Sequence, residues 1–372
     1  MQAFWFGVIA VLWGGFFVLE GFDLGVGTLL PFVSTSDEHR RMALRSIGPV
    51  WDGNEVWLLV AGGATFAAFP AWYASMFSGF YLAFALLLVG LILRGIGIEY
   101  RGKARTAGGR AWCDGATIVG SFLPALLLGV AFADILRGVR MDAGHNMTSP
   151  FFSLLTPYAL LGGVVTLTLF AFHGAVYLAL RTTGHVRAAA QRLTVPLGLV
   201  CGLAAVAFVL WTTTIRGNDV SDILGVVLII AFVVAFARAV AGREGSAFAA
   251  SALTTLLVPI WAFAALWPDV LPARNHDAWS LTVHNASSSH HTLAVMTGVA
   301  LVMTPVVLAY QAWSYWVFRA RVTGADLGGD GYGGGATPPV APLPKQIVAR
   351  AQQSAAEMLG RSPSRRSDEP AP

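Results

Sequence analysis

The sequence predicts an all-α integral membrane protein with about nine transmembrane helices and a disordered C-terminal tail. Three observations carry that prediction. The chain is 56% apolar and 12% charged, with a mean hydropathy of +0.65, a composition typical of helical membrane proteins. Its apolar runs are near-continuous, whereas barrel strands would alternate. Its basic residues fall mostly between those runs.

The runs span approximately Gln2–Val33, Trp51–Trp72, Met76–Ile98, Asp114–Leu136, Pro157–Leu180, Leu193–Thr213, Ile223–Ala241, Ala247–Trp267 and Thr292–Phe318. Each is long enough to cross about 30 Å of hydrocarbon. The first lacks a basic leader and a small-residue cleavage site, so it is expected to remain in the mature protein. One set of loops holds fourteen basic residues, from Arg40 to Arg321, and the other holds four, Arg137, Arg140, Arg216 and Arg274. The positive-inside rule then places the N-terminus outside and the C-terminus in the cytoplasm. That orientation depends on an odd number of spans. Residues 1–323 form the expected membrane domain. Residues 324–372 are rich in Gly and Pro and are expected to be a disordered cytoplasmic tail, with a short amphipathic stretch near Lys345–Leu359. The basic loops account for the pI of about 9.3 without a nucleic-acid partner.

Two acidic pairs interrupt this apolar pattern. Glu20 and Asp23 lie in Glu20-Gly-Phe-Asp23-Leu-Gly-Val-Gly27, and Asp52 and Glu55 lie in Trp51-Asp-Gly-Asn54-Glu-Val-Trp57. Their i, i+3 spacing puts each pair on one helix face. Ionisable groups within a bilayer are costly, and by default mark an ion or proton path or a partner site. For Asp52 and Glu55 a solvated first helical turn is the plain alternative. It explains Asp23 poorly, because that residue lies about 30 Å into its segment. Arg94 and Glu99 are five apart and do not share a face, so Arg94 is expected to pair with an acid from another helix or to snorkel to the interface. Lys103 and Asp114 flank a loop and read equally well as ordinary loop charges.

Cofactor ligands are scarce. Of eight histidines, only His173 lies well inside a run, and it reads as a hydrogen-bonded packing residue rather than a haem ligand. Cys113 and Cys201 form no metal-ligand spacing. No ligated metal or cofactor is therefore expected in this chain.

Several motifs together resemble a known family. Gly21-Phe-Asp-Leu-Gly-Val-Gly27, Trp51-Asp-Gly-Asn-Glu-Val-Trp-Leu58, Phe77-Ser-Gly-Phe-Tyr81, Gly120-Ser-Phe-Leu-Pro124 and Tyr310-Gln-Ala-Trp-Ser-Tyr-Trp316 resemble subunit II of cytochrome bd quinol oxidases. The resemblance covers about residues 1–322 and is strongest before residue 135. It implies a bacterial plasma-membrane complex that oxidises quinol, reduces dioxygen to water and generates proton-motive force. It implies a partner, subunit I, carrying two b-type haems and one d-type haem, and allows for a bound quinone, lipid and small accessory subunits. By the same resemblance Asp52 lies on a cytoplasmic proton path, with Asp23, Lys103 and Asp114 on or near it and Glu20 where relatives carry an acid. The residue pattern itself adds Glu55 to that path, and Arg94, Glu99 and Asn54 as buried polar neighbours. Two other readings stay open: a proton-coupled secondary transporter, disfavoured by the lack of paired inverted repeats, and a purely structural scaffold for the haem subunit.

Overall fold

A computed structural model describes residues 1–327 of the chain. The tail beyond that point, with the stretch Lys345–Leu359, lies outside the described residues. Gly324–Leu327, assigned to the tail by composition, instead forms a single 3₁₀ turn whose Leu327 is buried against the second helix.

Among the described residues there are eleven α-helices: α1 Gln2–Val33, α2 Asp37–Ile47, α3 Trp51–Ala68, α4 Pro70–Gly79, α5 Tyr81–Arg101, α6 Ala107–Arg137, α7 Pro157–Arg181, α8 Gly184–Arg216, α9 Asp219–Val240, α10 Glu244–Leu266 and α11 His290–Val317. They form because a chain in hydrocarbon must satisfy its own backbone polar groups. Side-chain caps start several of them: Ser36, Thr106 and Thr156 each accept a backbone N–H, and Asn218 with Ser221 closes a capping box. A two-stranded antiparallel pair, β1 Asp269–Leu271 with β2 Leu281–Thr282, lies in the connection before α11.

Among the described residues eight helices are long and apolar enough to cross a membrane, rather than the nine the sequence suggested. The helix left out is α3. Its 18 residues include Asp52 and Glu55, and the expected run Trp51–Trp72 breaks at Phe69. There Pro70 starts α4, and the residue before a proline is pushed out of helical geometry. The third run is divided as well: Met76–Gly79 end α4, and the spanning helix α5 begins at Tyr81.

Packing nevertheless makes α3 traverse the bundle. At its start, Asn54 bonds to the Leu19 carbonyl and to Asp23 on α1. At its end, the Ala68 carbonyl accepts from Ser288, and the Phe69 ring meets Phe6 near the N-terminus of α1. It therefore runs antiparallel to α1 over most of that helix's length.

The loops gather at two ends. At one, Arg101 reaches Asp37, Arg187 and Arg321 reach Glu244, and Arg181 bonds the Ala320 carbonyl. At the other, Gln2 bonds Ser287, Arg216 pairs with Asp269, and Met141 and Asn275 exchange two hydrogen bonds. Helices α1 and α7 touch backbone to backbone: a Cβ on Gly25 would lie 1.9 Å from the Phe170 carbonyl oxygen. This is the close approach that small residues permit within membranes. In contrast, α11 has one buried residue, Leu293.

Candidate functional site

The most polar part of the interior is formed by α1, α3, α5 and α11. Arg94, fully buried on α5, sits between two carboxylates from other helices. Its Nη1 lies 2.5 Å from Oε1 of Glu20 on α1, an ion pair without hydrogen-bond alignment. Its Nη2 donates to Oε2 of Glu55 on α3 at 2.8 Å. The guanidinium also lies 5.6 Å from the centre of the Trp51 ring, within cation–π range. The membrane-buried arginine is thus paired across helices, not with Glu99, which is half-buried and joins no ion pair among the described residues.

One turn along α1, Asp23 is fully buried, and its Oδ2 accepts a 2.7 Å hydrogen bond from Asn54 Nδ2. Asn54 is the hub of the site. Its amide nitrogen also donates to the Leu19 carbonyl at 3.3 Å. Its amide oxygen accepts from Gln311 Nε2 at 3.1 Å and from the Tyr315 hydroxyl at 2.8 Å. One side chain so ties α1 and α3 to α11. Two carboxyl groups thus pair with one guanidinium, and a third, on Asp23, lies one turn along α1 from Glu20. With all three ionised the group carries a formal charge of −2, a costly arrangement within the bundle.

Helix α3 explains why the two acidic pairs behave differently. Trp51, Asn54, Ala61, Thr65 and Ala68 are its buried residues, with Glu55 beside them. Asp52 is the next residue after Trp51, about 100° around the helix, and it is exposed. The i, i+3 spacing that keeps Glu20 and Asp23 both inside therefore leaves Asp52 on the outer face and Glu55 at its edge.

A second polar group lies toward the end of the bundle that carries the basic loops. Arg101, two turns beyond Arg94, donates to Oδ1 of Asp114 at 2.5 Å and to Oδ1 of Asp37 at 2.7 Å. Arg40 lies 3.5 Å from Asp114. Burial pushes the Asp37 carboxyl up, but the Arg101 hydrogen bond and the charges of Arg101, Arg110 and Arg41 hold it below the usual range. A cavity of about 450 Å³ opens beside Asp37, Arg40, Arg110 and Asp114. Lys103 is exposed and stands over the Tyr100 ring at 4.8 Å, outside both groups.

Sequence reasoning missed two residues. Thr117 and Ser121 follow Asp114 on α6 at i+3 and i+7, hence on one face, and both are fully buried. Thr117 is packed against Gly97 of α5, and Ser121 against Gly27 of α1. The hydroxyl of Ser121, Oδ1 of Asp23 and the hydroxyl of Thr28 have no hydrogen-bond partner among the described residues. The spacing of Asp114, Thr117 and Ser121 in an otherwise apolar helix was the available signal.

His173 is engaged at both ring nitrogens, with the Ser251 hydroxyl at 2.8 Å and the Val18 carbonyl at 3.2 Å, and its ring stacks on Phe248. Ligation of a haem iron there would displace one of those bonds. No group of three or more His, Cys, Asp and Glu side chains that could hold a metal ion occurs among the described residues.

These features define a polytopic helical membrane protein built around a buried acid–arginine cluster. Residues 1–318 match the family described as cytochrome bd terminal oxidase subunit II, and the chain belongs to that family. It is 39% identical over 326 residues to the cytochrome bd ubiquinol oxidase subunit 2 of Bacillus subtilis, covering 86% of this chain and 96% of that one. It is 36% identical over 368 residues to the cytochrome bd-I ubiquinol oxidase subunit 2 of Escherichia coli, covering 88% and 96%. Its fold also matches a chain of the bd oxidase of Geobacillus thermodenitrificans, with a TM-score of 0.67 at 16% identity, covering 85% of this chain and 98% of that one. Membership places the chain in a terminal oxidase complex of a bacterial membrane and removes the transporter reading.

Proposed function

We propose that this chain is the proton-conducting subunit of an oxidase that oxidises membrane quinol and reduces dioxygen to water. In this reading a partner subunit I holds the two b-type haems and the d-type haem and supplies the redox chemistry. This chain supplies protons from the cytoplasm, where the positive-inside rule puts its basic loops. One observation carries the reading: Glu20 and Glu55 share Arg94 within the bundle, with buried Asp23 beside them on Asn54.

Protons reach the cluster along two lines. The first is Asp114, Thr117 and Ser121 on α6, opening at the cavity beside Asp37. The second is Asp52 and then Glu55 on α3. Water bridges the gaps that exceed one hydrogen bond. Arg94 keeps the ionised carboxylates paired, and Asn54 fixes Asp23 with its free oxygen available. Asp52 stands on the exposed face of α3 with Val56, Leu59 and Val60. A carboxylate there is costly against lipid, so this face suits contact with subunit I. Lys103 and Glu99 act as surface charges. A bound quinone, lipid and small accessory subunits complete the proposed assembly.

The test is Asp23→Asn in the assembled complex, which keeps shape and loses titration. Quinol oxidation should slow while the reduced-minus-oxidised spectrum keeps its b- and d-type bands. Unchanged turnover would leave the scaffold reading standing instead.

A further inference from the structure

Four basic residues lie on the sparsely charged end of the bundle, and three of them converge. Arg137 ends α6, and Arg140 and Arg274 follow on two loop segments. All three line one cavity of about 190 Å³ together with Asp134, Ser149 and Ser153. The fourth, Arg216, is paired with Asp269. None of the three convergent arginines has an ion pair or side-chain hydrogen bond among the described residues.

The backbone holds these like charges together. Val139 N–H donates to the Pro272 carbonyl at 3.0 Å, and Arg274 N–H donates to the Val139 carbonyl at 2.8 Å, so Val139 and Ala273 form a parallel bridge. Arg140 and Arg274 are the residues immediately after that bridge. Met141 and Asn275, one residue further, lock the two segments with a reciprocal pair of 2.9 Å bonds. Burial, then the charges of Arg137 and Arg140, hold the Arg274 guanidinium below its usual range. Favourable interaction with the α6 dipole accounts for Arg137 alone. It does not account for two more guanidinium groups fixed beside it. Asp134, 2% exposed, is the one acid lining the pocket beside three arginines, and its Oδ2 has no hydrogen-bond partner among the described residues.

We infer that this pocket is an anion site that takes a phosphate group, held by the guanidinium groups of Arg137, Arg140 and Arg274. Arginine forks match phosphate oxygens in geometry and charge. Asp134 lines the same pocket, and when ionised it offsets part of the arginines' charge. The Ser149 hydroxyl is occupied by the Arg140 N–H, and Ser153 bonds the Pro150 carbonyl. Ser149 accepts there and keeps its own O–H free to donate to a phosphate oxygen, whereas the Ser153 O–H is already used. The phosphate comes either from a phospholipid headgroup of the adjoining leaflet or from free phosphate.

The experiment uses the purified oxidase complex. Native mass spectrometry after exchange into phosphatidylglycerol-containing nanodiscs reads retained lipid, and calorimetry with inorganic phosphate reads the soluble ion. Retention of lipid by the wild type, reduced about tenfold or more in Arg140→Gln/Arg274→Gln, supports the site with a lipid occupant; tenfold is the effect of one charge-assisted hydrogen bond. Phosphate binding with the same loss supports it with a soluble occupant. Arg192→Gln, at the other end of the bundle, should leave both unchanged. If the double variant fails to assemble, the single exposed Arg140→Gln replaces it. Equal binding by wild type and variants, or no binding in either arm, overturns the inference.

Discussion

Arg94 and Arg101 lie two turns apart on α5, about 10 Å along the helix, and each is gripped by two carboxylates from other helices. Arg94 holds Glu20 and Glu55; Arg101 holds Asp37 and Asp114. The chemistry is the same and the surroundings are not. Glu20 and Arg94 are wholly buried, whereas the Asp37 side chain is 52% exposed. Solvent screens the Arg101–Asp37 pair, so that pair is worth little, while Arg101–Asp114, 5% and 13% exposed, is screened less. Around Arg94, removal of one partner leaves a charge stranded within the bundle. The same residue types thus form a surface clasp at one level and a charge-constrained centre at the next.

The comparison can be broken most sharply at Arg94 itself. Arg94→Gln should destabilise the chain by about 3–5 kcal/mol, the cost of stranding buried partners. Thermal melting and recovery of the assembled complex would read this, whereas Arg101→Gln should leave assembly largely intact. Equal losses for the two would erase the distinction. Next in size is Asp23→Asn. It should lower turnover on the order of tenfold or more, the scale of a lost proton-transfer group, with haem content unchanged. Asn54→Ala should cost about 1–3 kcal/mol by leaving Asp23 and the α11 donors unpaired, and limited proteolysis should show α11 loosened. Asp114→Asn sharpens the comparison from the other side: turnover should fall less than for Asp23→Asn, because solvent reaches the inner line beside it, and an equal fall would mark Asp114 as the sole way in.

The smallest effect belongs to Asp37. Its carboxyl is held below the ordinary value in the fold. Its contribution is therefore present above the unfolded pKa, near 3.9, and lost as pH falls through the lower folded value. Asp37→Asn should cost less than about 1 kcal/mol at neutral pH, because solvent screens the pair. Denaturation measured from pH 7 downward should show wild type and variant converging in acid. A gap that widened in acid would reverse the sign argued for this carboxylate.

Much of this was legible in the chain itself. Long apolar runs specify helices because hydrocarbon leaves the backbone no other partner, and the asymmetry of arginines separated the two ends of the bundle. The motifs around Asp23 and Trp51 pointed to the family. An isolated Arg94 pointed either to a partner on another helix or to the interface, since Glu99 is on the wrong face. Other matters were decided only in three dimensions. The i, i+3 spacing could not say which side of α3 faces inward, so Asp52 and Asn54 could not be told apart. The helix turns about 100° per residue, and one residue's difference moves a side chain from the interior to the surface. Nor could the sequence choose which acids meet Arg94, or bring Arg140 and Arg274 to the end of α6. Those contacts join residues dozens to more than a hundred positions apart, and helix packing sets them. Local pattern determined which groups must be satisfied; tertiary structure decided by whom.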